Sequence, residues 1–197
     1  MLDFKVPLIL ASQSPRRREL FQMLGLPFSV AVSHLPEEVA DGLPPEAIVR
    51  ALAAQKAEDI AAAHQNALVI AADTMVALDG KLLGKPRDAE EAFSMLRQLN
   101  GRSHTVYTGI ALCHRDLGRL ITDFEATEVQ FATSSDEALR AYVQTGLPLD
   151  KAGAYGIQDR GAYLIEGIRG DFFTVMGFPI RRFYVNIRQH FSDLLHN

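Results

Sequence analysis

Ala71-Ala72-Asp73-Thr74-Met75-Val76-Ala77-Leu78-Asp79-Gly80-Lys81-Leu82-Leu83-Gly84-Lys85-Pro86-Arg87-Asp88 is the stretch from which the rest of the chain can be read. An apolar run from Ala67 to Ala72 stops on the carboxylate of Asp73, and a second run, Met75 to Leu78, leads into Asp79-Gly80. Asp-Gly between apolar runs is the strongest short hairpin signal, because a type I′ turn needs positive φ at both central positions. Gly84-Lys85-Pro86-Arg87 predicts a small rigid loop with two cations, and Asp88 an N-cap with Glu91 in capping-box position. One carboxylate and two cations are thus predicted on tight turns between firm elements, which is what a site handling a metal and a phosphate needs.

Upstream, Leu8-Ile9-Leu10 reads as a buried strand. Ser14 and Pro15 then predict the N-cap and first position of a helix that runs to about Leu24 and stops at Gly25. Arg16, Arg17 and Arg18 fall in its first turn, where the helix dipole disfavours cations by about 0.3–1 kcal/mol each. Either an anion joins them, held by free N–H groups and guanidinium forks, or they form a solvated basic turn balanced by Glu19 and its neighbours. Phe28 to Val32 reads as a strand, and the loop after it carries Glu37 and Glu38, as solvated acids or as part of a site. From Pro44 to about His64 a long helix is predicted, with Ile48, Leu52, Lys56 and Ile60 on one stripe. Lys56 either snorkels out along its stem or points into a cleft.

Downstream, Asp88 to Leu99 predicts a helix, and His104 to Cys113 and Leu120 to Phe131 a pair of long strands. Ser134 with Glu137 predicts a further capped helix ending near Thr145. Asp150 to Gln158 is rich in small residues and reads as backbone lining a pocket or as an ordinary irregular connection. Tyr163 to Ile165 and Phe172 to Val175 read as short strands. The last helix follows Gly177-Phe178-Pro179, with Ile180, Phe183, Tyr184, Ile187 and Phe191 as its apolar stripe. Early alternation of strands and helices around a central antiparallel pair predicts an α/β fold, a mixed sheet with flanking helices.

The 197 residues suit one domain spanning 1–197, and no linker divides them. With 20 basic against 24 acidic side chains, the net charge of −4 argues against broad nucleic-acid binding, which requires a dense basic face. A lone cysteine, Cys113, precludes an internal disulfide and suits a reducing compartment. No run is long enough for a membrane span and no cleavable signal pattern opens the chain, so a soluble cytoplasmic protein is the expectation.

Gly80 to Lys85 superficially suggests a P-loop, but the spacing is one residue short and Pro86 stands where the metal-binding Ser or Thr belongs. The six histidines are scattered, with no zinc-binding pair. Asp73 after a strand suggests an aspartyl-phosphate phosphatase of the haloacid dehalogenase type, but Met75 occupies the place of the second aspartate. Metal-assisted attack of water on a phosphate remains, with cations neutralising spreading charge and a carboxylate holding Mg²⁺ or taking the proton.

Leu10-Ala11-Ser12-Gln13-Ser14-Pro15-Arg16-Arg17, Ala72-Asp73-Thr74, Gly84-Lys85-Pro86 and Asp150-Lys151-Ala152-Gly153-Ala154-Tyr155-Gly156-Ile157-Gln158 together resemble the Maf-like nucleoside triphosphate pyrophosphatases (septum formation inhibitor Maf). The resemblance extends from about Leu8 to Pro179. It implies a fold like that of inosine triphosphate pyrophosphatase, two-lobed with a central cleft. It also implies hydrolysis of a nucleoside triphosphate between the α and β phosphates, and a divalent metal, Mg²⁺ or Mn²⁺. By motif position, Asp73, Glu37 and Lys85 match catalytic positions, Asp73 as proton acceptor, and Asp73 and Glu37 are the implied metal ligands. Ser12, Arg16, Arg17, Lys56, Thr74 and Gln158 match substrate-binding positions. The run ending in Gln158 resembles the dTTP/UTP branch rather than the 7-methyl-GTP branch, with Arg16, Thr74 and Gln158 at the positions that set the choice. A glutamine amide offers both a donor and an acceptor to the O4 and N3–H edge of uracil or thymine.

The resulting expectation is a pyrophosphatase acting on dTTP and UTP, with modified pyrimidine nucleotides as rival substrates. No nucleic-acid or membrane partner is expected, and a homodimer is suggested by resemblance alone. The alternative from another class is a regulator of division or septum formation that binds nucleotides without turning them over. Whether Asp73 is general base or metal ligand stays open.

Overall fold

A computed structural model describes residues 2–36, 39 and 42–196. In chain order, β1 (Leu8–Ala11) is followed by α1 (Pro15–Met23), β2 (Ser29–Ala31) and α2 (Pro45–Ala63). Next come β3 (Leu68–Leu78), β4 (Lys81–Leu83), α3 (Ala89–Leu99), β5 (Ser103–His114) and β6 (Arg119–Phe131). The chain continues through α4 (Asp136–Gln144), β7 (Ile165–Arg169), α5 (Phe172–Met176) and α6 (Ile180–His190). Among the described residues these are seven strands and six α-helices, a mixed α/β fold. The strands pair in the order β2-β1-β3-β5-β6-β7, with β4 on β3.

Several expectations are met by the local chemistry. Asp79 and Gly80 have φ of 49° and 76°, both positive as a type I′ turn needs, and β3 and β4 pair antiparallel across them. Asp88 caps α3 by accepting from Glu91 N at 2.8 Å. The Glu91 carboxylate does not close the capping box on Asp88; it takes the Arg87 N–H and guanidinium instead.

Other expectations need correcting. Ala67 to Leu78 is not two runs with a turn at Asp73: β3 is a single strand of 11 residues with Asp73 at its middle. The carboxylate is tolerated there because a lysine meets it from the neighbouring helix. Phe172 to Val175 is helical, because Asp171 accepts from both the N–H and the hydroxyl of Thr174 at 2.7 Å and starts a helical turn. Tyr163 and Leu164 belong to a 3₁₀ segment, Arg160–Leu164, capped by Asp159, and the strand begins only at Ile165. The cap of α4 is Ser135, one residue later than expected, accepting from Ala138 N. Tyr184 lies outside the buried stripe of α6.

The chain forms two compact units. The first contains residues up to Asp73, Thr108–Glu125, and the chain from Gly177 on. Its strands β2, β1 and β3 are parallel, with Leu8, Ile9 and Leu10 opposite Leu68, Val69 and Ile70. Side chains alternate across a strand, so Ile9 and Ala11 share a face with Val69, Ala71 and Asp73. That face joins Ala111 and Cys113 of β5 and takes Ala53, Ala57, Ile60 and Ala61 of α2. Most of these residues are alanines, so the helix lies close to the sheet. At Gly109 the approach leaves no room for a side chain: a Cβ there would sit 2.3 Å from Val49 O. Elsewhere in this unit Phe21 of α1 packs on Phe28, Phe178 and Phe183 with ring centres 4.9–5.6 Å apart.

The second unit comprises Thr74–Tyr107 and Ala126–Met176. Its core gathers Val76 and Leu78 of β3, Phe93, Leu96 and Leu99 of α3, Phe131 of β6, and Leu139 and Tyr142 of α4. Tyr155 and Leu164, from the irregular segment between α4 and β7, are buried in the same cluster.

The close seat of α2 on β5 generates a prediction. Gly109→Ala pushes against backbone rather than a movable side chain and loses about 1–3 kcal/mol of stability. Urea unfolding measures it, and an unchanged midpoint would show that the helix has slack there.

Candidate active site

After β1 the chain passes to β2 on one side, whereas β3 lies on the other. The carboxyl end of β1, which lies beside the middle of β3, is therefore a topological switch point, where open α/β sheets bind their ligands. Ser12 follows β1 directly, and continuing the register of the β1–β3 pair sets it opposite Ala72, the residue before Asp73. Ser12 is buried, and its Oγ accepts from Ser14 N at 3.2 Å and from Arg17 at 3.4 Å. Arg17 also donates to Gly177 O at 2.8 Å. Arg16 is half-buried in the first turn of α1, which contains no acidic residue, and Arg18 is exposed. The N-terminal end of a helix dipole and the Arg17 guanidinium are thus gathered at one strand end.

Lys56 and Asp73 meet on the α2 face of the same unit. Lys56 Nζ donates to Asp73 Oδ1 at 2.5 Å, with the two side chains 20% and 11% exposed. The alternative of a lysine snorkelling away to solvent is thereby excluded. Lys56 sits in the sheet-facing stripe between Ala53 and Ala57 on one side and Ile60 on the other, and Asp73 continues the row Val69, Ala71 on β3.

In the second unit, Thr74 is half-buried on β3 and Lys85 is exposed in the loop after β4. Gly153 N donates to Gly84 O at 3.0 Å, so the Lys85 loop and the Asp150–Gln158 segment are fastened together. Gln158 is half-buried, and its Oε1 is buried without a hydrogen-bond partner. Glu37 lies outside the described residues.

A model of the Maf-like protein family matches residues 7–190. The chain belongs to the Maf family. Among Maf relatives, a dTTP/UTP pyrophosphatase of Salinibacter ruber is 48% identical over 99% of this chain and 96% of its own length. One of Moorella thermoacetica is 51% identical over 88% of this chain and 89% of its own. Among solved structures, a Ham1 protein of Staphylococcus aureus superposes with a TM-score of 0.50 at 17% identity, covering 95% of this chain and 98% of that one. A Ham1 protein of Coxiella burnetii gives 0.51 at 15%, covering 93% and 99%. These two likenesses show that the Maf chain shares the Ham1 fold.

Among the described residues no three His, Cys, Asp or Glu side chains converge, so they form no cage of the kind that holds Zn²⁺ or Ca²⁺. Mg²⁺ asks less of a protein: it keeps several waters and is bound by one or two carboxylates together with substrate phosphates. Asp73, beside a strand end that gathers cations, fits that requirement.

Sequence reasoning passed over two further features of the second unit. His104 is buried, with Nε2 2.7 Å from the Tyr155 hydroxyl, and its ring packs edge-on against Phe131 and Tyr155. The other is Lys151, buried at the centre of a polar network. His104 is one alternating position in a long strand and Lys151 one charge in a loop, so neither carries a local signal.

Burial pushes the His104 pKa down to about 4, and His104 Nδ1, buried without a partner, could not place the second proton of an imidazolium. The unfolded chain, with a pKa near 6.5, takes up that proton first. Stability from this group is therefore complete above about pH 6.5 and falls toward about pH 4, by up to about 1.4 kcal/mol per pH unit. Urea titrations across this window should show that slope, reduced in His104→Gln, which cannot titrate. Equal slopes in the two proteins would exclude His104 as the source.

Proposed function

We propose that this chain is a nucleoside triphosphate pyrophosphatase that hydrolyses dTTP and UTP to the monophosphate and pyrophosphate. The observation that carries the reading is the Lys56–Asp73 pair beside the strand end where Ser12 and Arg17 of α1 meet. Near-full-length relatives named dTTP/UTP pyrophosphatase support the choice of substrates.

The oxygen of water attacks the α phosphorus, and the bond from that phosphorus to the bridging oxygen breaks, so that pyrophosphate leaves. Negative charge spreads over the phosphate oxygens as this happens. Arg16, Arg17, Lys56 and Lys85 are the cations that bind and neutralise it, with Ser12 and the N–H groups at the start of α1 as neutral donors. Asp73 orients the attacking water or takes its proton, with Lys56 on Oδ1 fixing the carboxylate in one rotamer. Asp73 with Glu37 would hold Mg²⁺ or Mn²⁺, which would supply Lewis-acid polarisation of the phosphate when bound. Thr74, Arg16 and Gln158 are assigned to the base. The unpartnered Gln158 Oε1 suits the N3–H that thymine and uracil present.

Asp73→Asn should lower pyrophosphate release by about 10²–10⁴-fold while leaving the circular dichroism unchanged. The assay is a panel of the common nucleoside and deoxynucleoside triphosphates scored for pyrophosphate against orthophosphate, with and without chelator. Near-normal turnover by the variant would remove Asp73 from the chemistry. Tight nucleotide binding with Mg²⁺ and no pyrophosphate from the unaltered protein would mark a sensor instead.

A further inference from the structure

Lys151 stands in the long motif that ends in Gln158, where a cation is a candidate to meet a phosphate. Its surroundings point elsewhere. The side chain is 7% exposed, and Nζ lies 2.6 Å from Leu147 O, 2.8 Å from Asp150 Oδ1 and 3.2 Å from Asp159 Oδ2. The last is an ion pair by distance, although Asp159 Oδ2 has no hydrogen bond of good geometry. An ammonium has three N–H donors, and three oxygens surround this one. One cation between two carboxylates also leaves the spot with a net negative charge, the wrong sign for a triphosphate.

The network continues through Tyr142 on α4. Its hydroxyl donates to Asp159 Oδ1 at 3.0 Å and accepts from Gly156 N at 3.1 Å. Burial, then the neighbouring Asp159, pushes this phenol up from its usual pKa, so it remains a donor. Asp159 Oδ1 also accepts from Gly161 N at 2.7 Å. The backbone lies tightly against these groups: a Cβ on Gly156 would sit 2.4 Å from Asp159 Oδ2, and one on Gly161 2.6 Å from the Tyr142 hydroxyl. Gly156, Asp159 and Gly161 are thus fixed on both sides of Gln158.

We propose that Tyr142, Asp159 and Lys151 are positioning residues that lock the segment carrying Gln158 and so set the discrimination of thymine and uracil from cytosine. The inference rests on the reading of Gln158 as a base contact. Thymine and uracil offer an acceptor at O4 and a donor at N3, whereas cytosine offers the reverse. A glutamine amide free to turn over serves either pattern, so it discriminates only if its approach is fixed and the wrong base leaves polar groups unpaired.

The test compares pyrophosphate release from dTTP and dCTP by the unaltered protein, Tyr142→Phe, Lys151→Met, Gln158→Ala and the double variant Tyr142→Phe/Gln158→Ala. Tyr142→Phe and Lys151→Met should keep kcat on dTTP within about twofold, raise its KM, and cut the dTTP-to-dCTP ratio of kcat/KM by about tenfold. In the double variant the ratio should be no lower than in Gln158→Ala alone, because the hydroxyl acts through that amide. A role in stability alone moves the melting temperature and leaves the ratio intact. If Lys151→Met does not fold, Tyr142→Phe carries the comparison. An unchanged ratio in Tyr142→Phe, or additive losses in the double variant, overturns the positioning role while a collapse in Gln158→Ala sustains the base contact. An unchanged ratio in Gln158→Ala overturns both. Should no turnover occur, calorimetric binding of dTTP and dCTP to the same five proteins decides between the same outcomes, with the ratio of affinities in place of the ratio of kcat/KM.

Discussion

The ion pair between Lys56 and Asp73 depends on how closely α2 lies on its sheet. Ala53, Ala57 and Ala61 face Ala11, Ala71 and Ala111, and Gly109 removes even a methyl group where the helix crosses β5. Larger residues in that layer would lift α2 and carry Lys56 away from β3. The small-residue interface is poor in hydrophobic yield, since a buried side chain contributes in proportion to its apolar area. It is compensated by larger groups such as Phe21, Phe178 and Phe183 elsewhere in the same unit. The energetics of the pair point the same way. Taking two charges largely out of water costs several kcal/mol per ion, and a buried pair is often no better for stability than apolar residues of similar volume. A lysine and an aspartate in an alanine layer are therefore better explained by the chemistry they permit than by the fold they support.

Connectivity decides where that chemistry sits. Parallel β1 and β3 bring the start of α1 and the middle of β3 to one end of the sheet because the chain reverses its direction of growth between them. Each charged group arrives on a different rigid element: the arginines on α1, the lysine on α2, the carboxylate on β3. These three elements fix their groups in advance, which suits a reaction in which fixed charges must await a charge that develops later, whereas Lys85 comes from the loop after β4.

Much of this was legible along the chain. Pro15, Pro45, Asp88 and Gly25 mark helix ends by local chemistry, and Asp79-Gly80 marks its hairpin, because caps and turns are decided within a few residues. Lys56 was legible as a misfit in an apolar stripe. What it met there was not, since Asp73 is 17 residues away and across a helix-to-sheet interface. The same blindness made Asp73 look like the end of a strand: hydropathy registers the charge and not the ammonium that neutralises it. Phe172 to Val175 failed for the opposite reason. Two aromatics, a threonine and a valine favour a strand by type, and the Asp171 carboxylate bound to Thr174 overrides that preference.

Lys56 and Lys151 show where composition stops being informative. Lys56 lies in the stripe of α2 and Lys151 in the long motif ending in Gln158, and both have a carboxylate within 3.2 Å. Lys56 retains 20% of its side-chain exposure and meets a single carboxylate, that of Asp73. Lys151 is enclosed by two carboxylates and a carbonyl, and its charge is spent inside the protein on holding backbone. Counting the oxygens around each nitrogen, and the water left to it, separates a lysine still partly open to solvent from one enclosed in the protein.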